Sequence, residues 1–183
     1  MTWQELIDKY YPEGSRLRDI YLAHCRSVAD LALEINASKE LGLDPAEVEE
    51  AAMLHDIGIF RCDAPGIECH GSEPYIRHGV TGATIIRAEG PGETSARVAE
   101  RHTGAGLTRE DILSQNLPLD PDGDYMPQTC LERLICYADK FYSKSGDMQR
   151  KPLDRVIRSM QRISDSTLER FMTLHREFGD TPI

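Results

Sequence analysis

The stretch Ala51-Ala52-Met53-Leu54-His55-Asp56-Ile57-Gly58 places a histidine and an aspartate directly after an apolar run. The apolar residues predict a buried helix, so His55 and Asp56 are expected at its buried end. A carboxylate in such a place is costly to bury unless a cation or hydrogen bonds compensate its charge. A metal ion would supply that charge, provided that further ligands converge on it from other parts of the chain.

Further ligands are available in segments that the sequence predicts as helices or helix ends. They are His24 upstream, and His78, His102 and Asp139 downstream. Imidazole and carboxylate suit Mn, Fe, Co, Ni or Zn. Asp56 is the expected bridge, because a carboxylate has two oxygens and an imidazole cannot bridge without deprotonating. The six residues predict a centre that holds two divalent transition-metal ions, with Asp56 also in a catalytic role.

Each ligand also has a simpler interpretation when it is taken alone. His24 would be a hydrogen-bonded core histidine, and His78, beside Gly79, would mark close helix–helix packing. His102 would make a favourable contact with a helix dipole, and Asp139 would form an ion pair with an arginine or lysine. One metal site explains all of these positions more economically than separate coincidences.

The remainder of the chain is predicted to be helical, because no segment shows the strict alternation of a strand. Start signals stand at Thr2 with Glu5, Asp44-Pro45-Ala46-Glu47, Pro74, Thr108, Thr129 with Glu132, Pro152, and Ser166 with Glu169. Gly58 and Gly179 mark helix ends, and residues 59–73 form a loop. The expected fold is all-α, a helical bundle with the metals held between its central helices.

Length and composition fit one globular domain. The chain has 183 residues, 40% of them hydrophobic, so it can bury a sizeable core. The C-terminal helices, about 152–179, form an extension that either covers this core or pairs two subunits into a homo-oligomer. No apolar run is long enough to span a membrane, and the N-terminus lacks the pattern of a secretory signal.

The net charge of the chain limits the partners that it is expected to bind, and its cysteine content indicates the cellular compartment. The net charge of −10 disfavours stable nucleic-acid binding through a broad basic face, but it does not exclude a small phosphorylated substrate at a metal pair. Five cysteines without a CxxC motif predict reduced thiols in a cytoplasmic protein. Cys62 and Cys69 share a loop with His70, so a structural zinc there is the alternative, although the spacing matches no standard zinc pattern.

The ordered set His24 … His55-Asp56 … His78 … His102 … Asp139 resembles the HD-domain superfamily of metal-dependent phosphohydrolases, and residues 55–58 match the HDIG form of its signature. The resemblance covers roughly residues 20–145, and the segments around His78, His102 and Asp139 look most like small, stand-alone members. It implies that His24, His55, Asp56 and Asp139 bind one ion. It also implies that Asp56, His78 and His102 bind a second ion.

One departure from the family narrows the expected substrate. Members that cleave cyclic dinucleotides carry a lysine after the HDIG core and a Gly-Tyr-Pro motif. Here Ile59 occupies the lysine position, and no Gly-Tyr-Pro occurs. Cleavage of cyclic dinucleotides is therefore not expected, whereas some small members of the superfamily act on dinucleoside polyphosphates or other nucleotides.

The resemblance implies hydrolysis of a phosphate ester or anhydride by a metal-activated hydroxide, on a nucleotide or another small phosphorylated metabolite. The cations that would hold phosphate oxygens are Lys140 and Arg101 first, with Arg77 and Lys144 as further candidates. Each of these could instead be a solvated surface charge. His70 is expected either to donate a proton at the site mouth or to hydrogen-bond within its loop, and His175 is expected on the surface.

Two other functions use the same ligand set. Some HD proteins use a mixed-valence di-iron pair for oxygen-dependent cleavage of a C–H or C–P bond, which would require iron and consume oxygen. A non-catalytic HD module that binds a nucleotide as a sensor would bind tightly without turnover. The ligands alone do not separate the oxygenase from the hydrolase. The complete set of six ligands argues against the sensor, because a protein that only binds a nucleotide need not keep all of them.

Overall fold

A computed structural model describes residues 1–179 of the chain. Nine α-helices and two strands of two residues each occupy this described part, which confirms the predicted all-α class. The helices are α1 (Trp3–Tyr10), α2 (Arg16–Ser38), α3 (Pro45–Leu54), α4 (His78–Glu89), α5 (Glu93–Arg101), α6 (Arg109–Ser114), α7 (Cys130–Asp139), α8 (Leu153–Ile163) and α9 (Asp165–Phe178). Single 3₁₀ turns lie at Ile59–Arg61, Pro65–Ile67 and Tyr75–Arg77.

Local capping fixes where several of these helices begin. Thr2 and Thr129 each accept a hydrogen bond from the backbone of the glutamate three residues later, and that glutamate's side chain bonds back to the cap. Asp44 caps α3 directly before a proline. These starts were predicted from short sequence patterns and are confirmed, because a cap depends only on residues that are neighbours in sequence.

The predicted cap of the last helix is wrong by two residues. Ser164, not Ser166, is the N-cap of α9, and its hydroxyl oxygen accepts a hydrogen bond from the Thr167 N–H. The backbone of Ser164 is extended, which lets α9 turn away from α8 immediately after Ile163.

The loop predicted at residues 59–73 contains a small hairpin that the sequence did not indicate. Strands β1 (Asp63–Ala64) and β2 (Cys69–His70) pair antiparallel around the 3₁₀ turn at Pro65–Ile67. Two-residue strands are too short to show an alternating pattern, so the periodicity of the sequence cannot reveal them.

Two helix boundaries beside the ligands also differ from the prediction. Helix α3 ends at Leu54, so His55 and Asp56 lie in the turn that follows it. Helix α4 begins at His78 rather than at Pro74, because Tyr75–Arg77 is wound as a 3₁₀ turn. His78 is therefore the first residue of its helix and not an internal one.

Gly58 is a packing residue and does not cap a helix. A Cβ on Gly58 would stand 2.3 Å from the His78 carbonyl oxygen and 2.5 Å from the Gly82 nitrogen. Its φ of −84° is open to any residue, so the glycine is required for space. The turn that carries His55 and Asp56 thus packs directly against the helix that carries His78.

All the helices except α6 contribute to a main core that extends from Leu6 in α1 to Phe178 in α9, and Ile112 of α6 belongs to a second, smaller apolar cluster. Helix α2 packs along α3, α4 packs along α5, and α8 packs along α9. Helix α7 contacts α2, α3, α5 and α9, so its last residue, Asp139, ends close to the middle of the molecule. No helix in the described part of the chain is both long and apolar enough to cross a membrane.

The prediction that His175 lies on the surface is wrong. His175 is 4% exposed, and its Nδ1 lies 2.8 Å from the Tyr137 hydroxyl. It belongs to an aromatic cluster with Phe171 and Tyr137 that joins α9 to α7. A histidine in an amphipathic helix can face either side, and only the packing of α9 on α7 decides which.

Candidate metal centre

The six predicted ligands converge from five separate helices or helix ends. His24 lies within α2, His55 and Asp56 follow α3, His78 begins α4, His102 follows α5, and Asp139 ends α7. The four histidines and Asp56 are at most 4% exposed, and 12% of the Asp139 side chain is exposed. Donor atoms of these residues form two compact groups that could each hold a metal ion.

The first group contains His24, His55, Asp56 and Asp139, with donor atoms within 4.8 Å of one another. His24 Nε2 is 3.1 Å from Asp56 Oδ2, 3.1 Å from Asp139 Oδ1 and 3.3 Å from His55 Nε2. His55 Nε2 is 3.1 Å from Asp56 Oδ2. Two imidazole nitrogens and two carboxylate oxygens thus face a common centre.

The second group contains Asp56, His78 and His102. The Nε2 atoms of the two histidines lie 3.0 Å apart, and each is 3.4 Å from Asp56 Oδ1. Asp56 is the member that the two groups share. Its Oδ2 faces the first group and its Oδ1 faces the second, which is the arrangement of a carboxylate that bridges two ions.

Backbone carbonyls orient three of the four histidine rings. The Nδ1 atoms of His55, His78 and His102 lie 2.6, 2.6 and 2.8 Å from the carbonyl oxygens of Ala52, Tyr75 and Ala99, each three residues upstream. A carbonyl oxygen can only accept, so each Nδ1 carries a hydrogen and Nε2 is the nitrogen left to bind a metal in the neutral ring. This tautomer presents Nε2 to a metal, which is the usual role of such outer contacts.

Burial and the neighbouring charges set the protonation of the ligands. Burial lowers the pKa of His78 to about 3 and also lowers that of His102, so both rings are neutral at pH 7. Burial, the largest single effect, would raise the pKa of Asp56 and Asp139. The nearest lysine, Lys144 for Asp56 and Lys140 for Asp139, acts together with the neighbouring histidines to hold both pKa values well below the ordinary range. Neutral imidazoles and ionised carboxylates are the forms that bind metal.

His55 differs from the other rings. Burial, the largest single effect, lowers its pKa, but Asp56, Cys25 and Asp139 together raise the pKa well above the ordinary value. A metal ion that binds at His55 therefore displaces a proton, so metal binding releases protons.

The residues fit the divalent metals that the family implies. Both groups combine imidazole nitrogen with carboxylate oxygen, the donors suited to Mn, Fe, Co, Ni and Zn. Neither oxygen of the buried Asp56 carboxylate has a hydrogen-bond partner of good geometry among the described residues, although the Lys144 ammonium lies 2.5 Å from Oδ2. A buried carboxylate of this kind requires a cation, and the two groups supply the remaining ligands.

The four predicted substrate cations have different surroundings. Lys140 Nζ lies 2.6 Å from Asp139 Oδ2 and 2.9 Å from the His102 carbonyl oxygen, and Lys144 Nζ lies 2.5 Å from Asp56 Oδ2. These two lysines therefore border the metal groups.

The two arginines are engaged with other parts of the protein. Arg101 is buried between Asp124 and Glu132, at 2.8 and 2.9 Å. Arg77 donates to the Pro118 carbonyl and lies near Glu73. Both arginines thus have their partners away from the metal groups, whereas Lys140 and Lys144 border these groups.

A cavity of about 420 Å³ adjoins the first group, and Asp139, Lys140 and Lys144 are part of its lining. The other polar residues of its lining are not among the predicted site residues; they are Tyr75, Tyr142, Ser143, Ser145 and Lys151. The available signal was the accumulation of lysines just after Asp139. Lys151 directly precedes Pro152, and the sequence pattern there indicates the start of a helix and not a cavity residue.

The hairpin loop shows no sign of the alternative zinc site. His70 is exposed and lies 3.7 Å from Glu68, so it interacts within its own loop. Within residues 1–179, the groups of side chains able to hold a metal are the two described above, and neither includes Cys62 or Cys69. All five cysteines are free thiols.

Comparison with known proteins agrees with the geometry of the site. The sequence model of the HD domain matches residues 21–143, which include all six ligands. An uncharacterized protein of Methanocaldococcus jannaschii is 36% identical over 142 residues, which is 76% of this chain and 74% of that protein. No solved structure matches the chain.

Two longer relatives are named as tRNA (cytidine(56)-2'-O)-methyltransferases. The protein of Thermoplasma volcanium is 31% identical over 173 residues, 94% of this chain but 45% of that protein. The protein of Picrophilus torridus is 29% identical over 143 residues, 78% of this chain and 35% of that protein. The chain thus spans less than half the length of these two relatives. The domain match, which covers more than half of the chain, shows that the chain belongs to the HD-domain family.

Proposed function

We propose that this protein is a metal-dependent phosphohydrolase that cleaves a phosphate ester or anhydride of a nucleotide or another small phosphorylated metabolite. The observation that supports it best is the division of the Asp56 carboxylate between two ligand groups beside a lysine-lined cavity. Two divalent ions in these groups would supply an activated hydroxide and hold phosphate oxygens.

The chain's own residues prepare the site for this chemistry. The three backbone carbonyls hold the His55, His78 and His102 rings with Nε2 inward, so the ligand geometry is fixed before substrate arrives. Lys140 holds the outer oxygen of Asp139 while the other oxygen faces the first group. Burial of the ligands excludes bulk water from all but the cavity side.

The volume and charge of the cavity indicate the size and charge of the expected substrate. Its volume of about 420 Å³ is within the range of pockets that bind one small metabolite. Lys140, Lys144 and Lys151 line it, and their ammonium groups favour an anionic ligand. Phosphate oxygens would face these lysines, with the organic group toward Ile67 and Met160.

The test is turnover by metal-free protein reconstituted separately with Mn, Fe, Co, Ni or Zn, on a panel of nucleotides, dinucleotides and phosphomonoesters. Metal-dependent phosphate release is expected, and Asp56→Asn should abolish it. Asp30→Asn is the matched control, because Asp30 is exposed on α2, the helix of His24. Oxygen consumption with iron and no phosphate release would indicate the di-iron oxygenase. Nucleotide binding without turnover in every metal would indicate a sensor module.

A second candidate is the same hydrolysis on a phosphate carried by RNA. Two relatives are named as tRNA-modifying enzymes, which is at odds with the expectation of no nucleic-acid partner. Residues 140–162 contain seven lysines and arginines against two aspartates, although the whole chain carries −10. This basic segment begins beside the metal groups and would attract a polyanion locally.

A comparison of turnover rates on two substrates distinguishes these two candidates. Turnover of a 5'- or 3'-phosphorylated RNA oligonucleotide is compared with that of the matching mononucleotide, at low and moderate salt. A higher kcat/KM for RNA that falls steeply with salt would favour the RNA substrate. A preference for the mononucleotide would favour the small metabolite. We do not propose methyl transfer for this chain, because it spans less than half the length of the two relatives named as methyltransferases.

A further inference from the structure

Two lysines next to the metal groups contact different kinds of carboxylate oxygen. Lys140 Nζ binds Asp139 Oδ2, whereas Asp139 Oδ1 is the oxygen that faces His24 and His55. Lys140 therefore holds the outer oxygen of a ligand, and its contact leaves the inner oxygen open to a metal ion. This is the position of a residue that supports a ligand from behind.

Lys144 occupies the opposite position. Its Nζ lies 2.5 Å from Asp56 Oδ2, which is the oxygen that His24 Nε2 and His55 Nε2 approach at 3.1 Å. The ammonium group therefore stands on the side of the carboxylate that a metal in the first group would share. A dication and an ammonium at one oxygen repel each other strongly in a buried site.

The surroundings of Lys144 offer it a second position. Lys144 belongs to the irregular segment 140–152 between α7 and α8, so its displacement requires no helix to unwind. It lines the cavity together with Ser143 and Lys151, and its Nζ lies 5.9 Å from the centre of the Tyr75 ring. Movement away from Asp56 would carry the ammonium into this cavity.

We propose that Lys144 exchanges partners when metal binds: it is the counter-ion of Asp56 in the metal-free protein and a ligand of the substrate phosphate in the metal-loaded protein. One residue then compensates the buried carboxylate in the absence of metal and supplies a phosphate contact in its presence. Substrate phosphate is thus bound well only after metal has displaced the lysine. This inference rests on the proposed function, because it assigns the phosphate contact of that same site.

The first test is calorimetric titration of Mn²⁺ into metal-free protein. Lys144→Met should bind Mn²⁺ about tenfold more tightly than the wild type, because a competing cation is removed. Lys140→Met should bind it about 10- to 100-fold more weakly, as expected for a lost supporting contact. Lys151→Met, which alters a lysine of the same cavity, should leave Mn²⁺ affinity unchanged.

The second test is titration of inorganic phosphate into the Mn²⁺-loaded proteins. Lys144→Met should weaken phosphate binding about tenfold, and Lys144→Arg should retain most of it because the charge is kept. Weaker Mn²⁺ binding by Lys144→Met would overturn the proposal, since Lys144 would then be a supporting residue like Lys140. Unchanged phosphate binding would overturn it as well, since the displaced lysine would have no second partner.

A third measurement uses only the wild-type chain, in case Lys144→Met fails to fold. Acetylation of lysines is followed by mass spectrometry with and without Mn²⁺. Lys144 should be modified faster with Mn²⁺, and the Lys140 rate should stay constant. An unchanged Lys144 rate would overturn the proposal. If Mn²⁺ binding and labelling are as expected but no substrate is turned over, the proposed hydrolase activity is rejected and the role of Lys144 is kept. If turnover is normal but Lys144→Met binds Mn²⁺ more weakly than the wild type, the role of Lys144 is rejected and the hydrolase is kept.

Discussion

The two ligand groups of the candidate metal centre contain different histidines, so a single substitution should impair one group and leave the other intact. His78 and His102 contact only the Oδ1 side of Asp56, so His102→Asn should lower bound Mn²⁺ from about two ions per chain to about one. His24→Asn should impair the first group instead. Metal content after gel filtration, measured by mass spectrometry of the metal, checks both variants.

The matched control for this pair is His70→Asn, because His70 is exposed and belongs to neither group. It should retain the wild-type content. Equal loss of both ions in His102→Asn would show that the two groups do not bind independently, and an unchanged content would show that His102 is not a ligand.

The thiols give a residue-level prediction that depends on pH. Burial raises the pKa of Cys62 to about 11 and that of Cys69 to about 12. The thiolate is the reactive form, so at pH 8 only about one Cys62 thiol in a thousand is reactive, and the fraction rises as pH approaches 11. Cys130, which is partly exposed, should react first with a thiol reagent in native protein.

The time course of absorbance with a chromogenic disulfide tests this, with urea-unfolded protein as the reference. All five thiols should react rapidly once the chain is unfolded. Rapid reaction of all five in the native protein at pH 8 would contradict the burial described here.

At this scale the sequence predicts well which histidines and aspartates converge, and it predicts poorly which cations lie beside them. Each residue taken alone has another interpretation, but their joint order along the chain follows a family pattern. Whether Arg101 or Lys144 faces the centre depends on which carboxylate lies opposite, and Asp124 and Glu132 reach Arg101 only in the folded chain.

The packing of the 55–58 turn on α4 is the element-scale feature that brings the two ligand groups together. In Gly58→Ala the new methyl group would overlap the His78 carbonyl oxygen, so the turn and α4 must separate. Overpacking of this kind costs about 1–3 kcal/mol and here should also weaken the second metal group. Urea unfolding and metal content are the measurements.

Gly66→Ala is the matched substitution in the hairpin turn. A Cβ at Gly66 meets no atom within 4 Å, so the free energy of unfolding should hardly change. Similar stability losses in both variants would show that the loss comes from glycine replacement in general and not from the contact with α4.

Arg101 joins α5 to α7 and to the loop before α7. Arg101→Met should cost about 3–5 kcal/mol, because it leaves the Glu132 carboxylate buried without its partner. Asp124→Asn should cost at most about 1 kcal/mol, since Asp124 is 52% exposed. Urea unfolding measures the loss of stability in both variants. Equal losses would mean that the buried contact of Arg101 with Glu132 contributes no more than its exposed contact with Asp124.

Helix starts were predictable because Thr2, Asp44 and Thr129 make their bonds within one turn of sequence. The hairpin and the 3₁₀ turn before His78 were not, because backbone contacts between distant segments shape them. Glu73, for example, exchanges backbone hydrogen bonds with Arg61 and Asp63 across the loop.

For the whole molecule, we propose that α8 and α9 are part of one folding unit and not a separable extension. Their apolar residues join the same core as those of α1 to α5 and α7. Helix α9 packs on α7, the helix that ends in the metal ligand Asp139, through Tyr137 and Phe171. Loss of α9 would therefore disturb the metal centre from behind.

A chain shortened to residues 1–151 tests this unity. It lacks five buried apolar side chains, which are those of Val156, Met160, Phe171, Leu174 and Phe178. Their burial contributes on the order of 10 kcal/mol, which is comparable with the entire stability of a domain. The shortened chain should therefore lack a cooperative thermal transition in calorimetry and should bind no Mn²⁺, whereas the full chain should unfold in one transition. A shortened chain that melts cooperatively and binds two ions would show that α8 and α9 are an extension after all, since the α1–α7 core would then suffice to hold the six ligands.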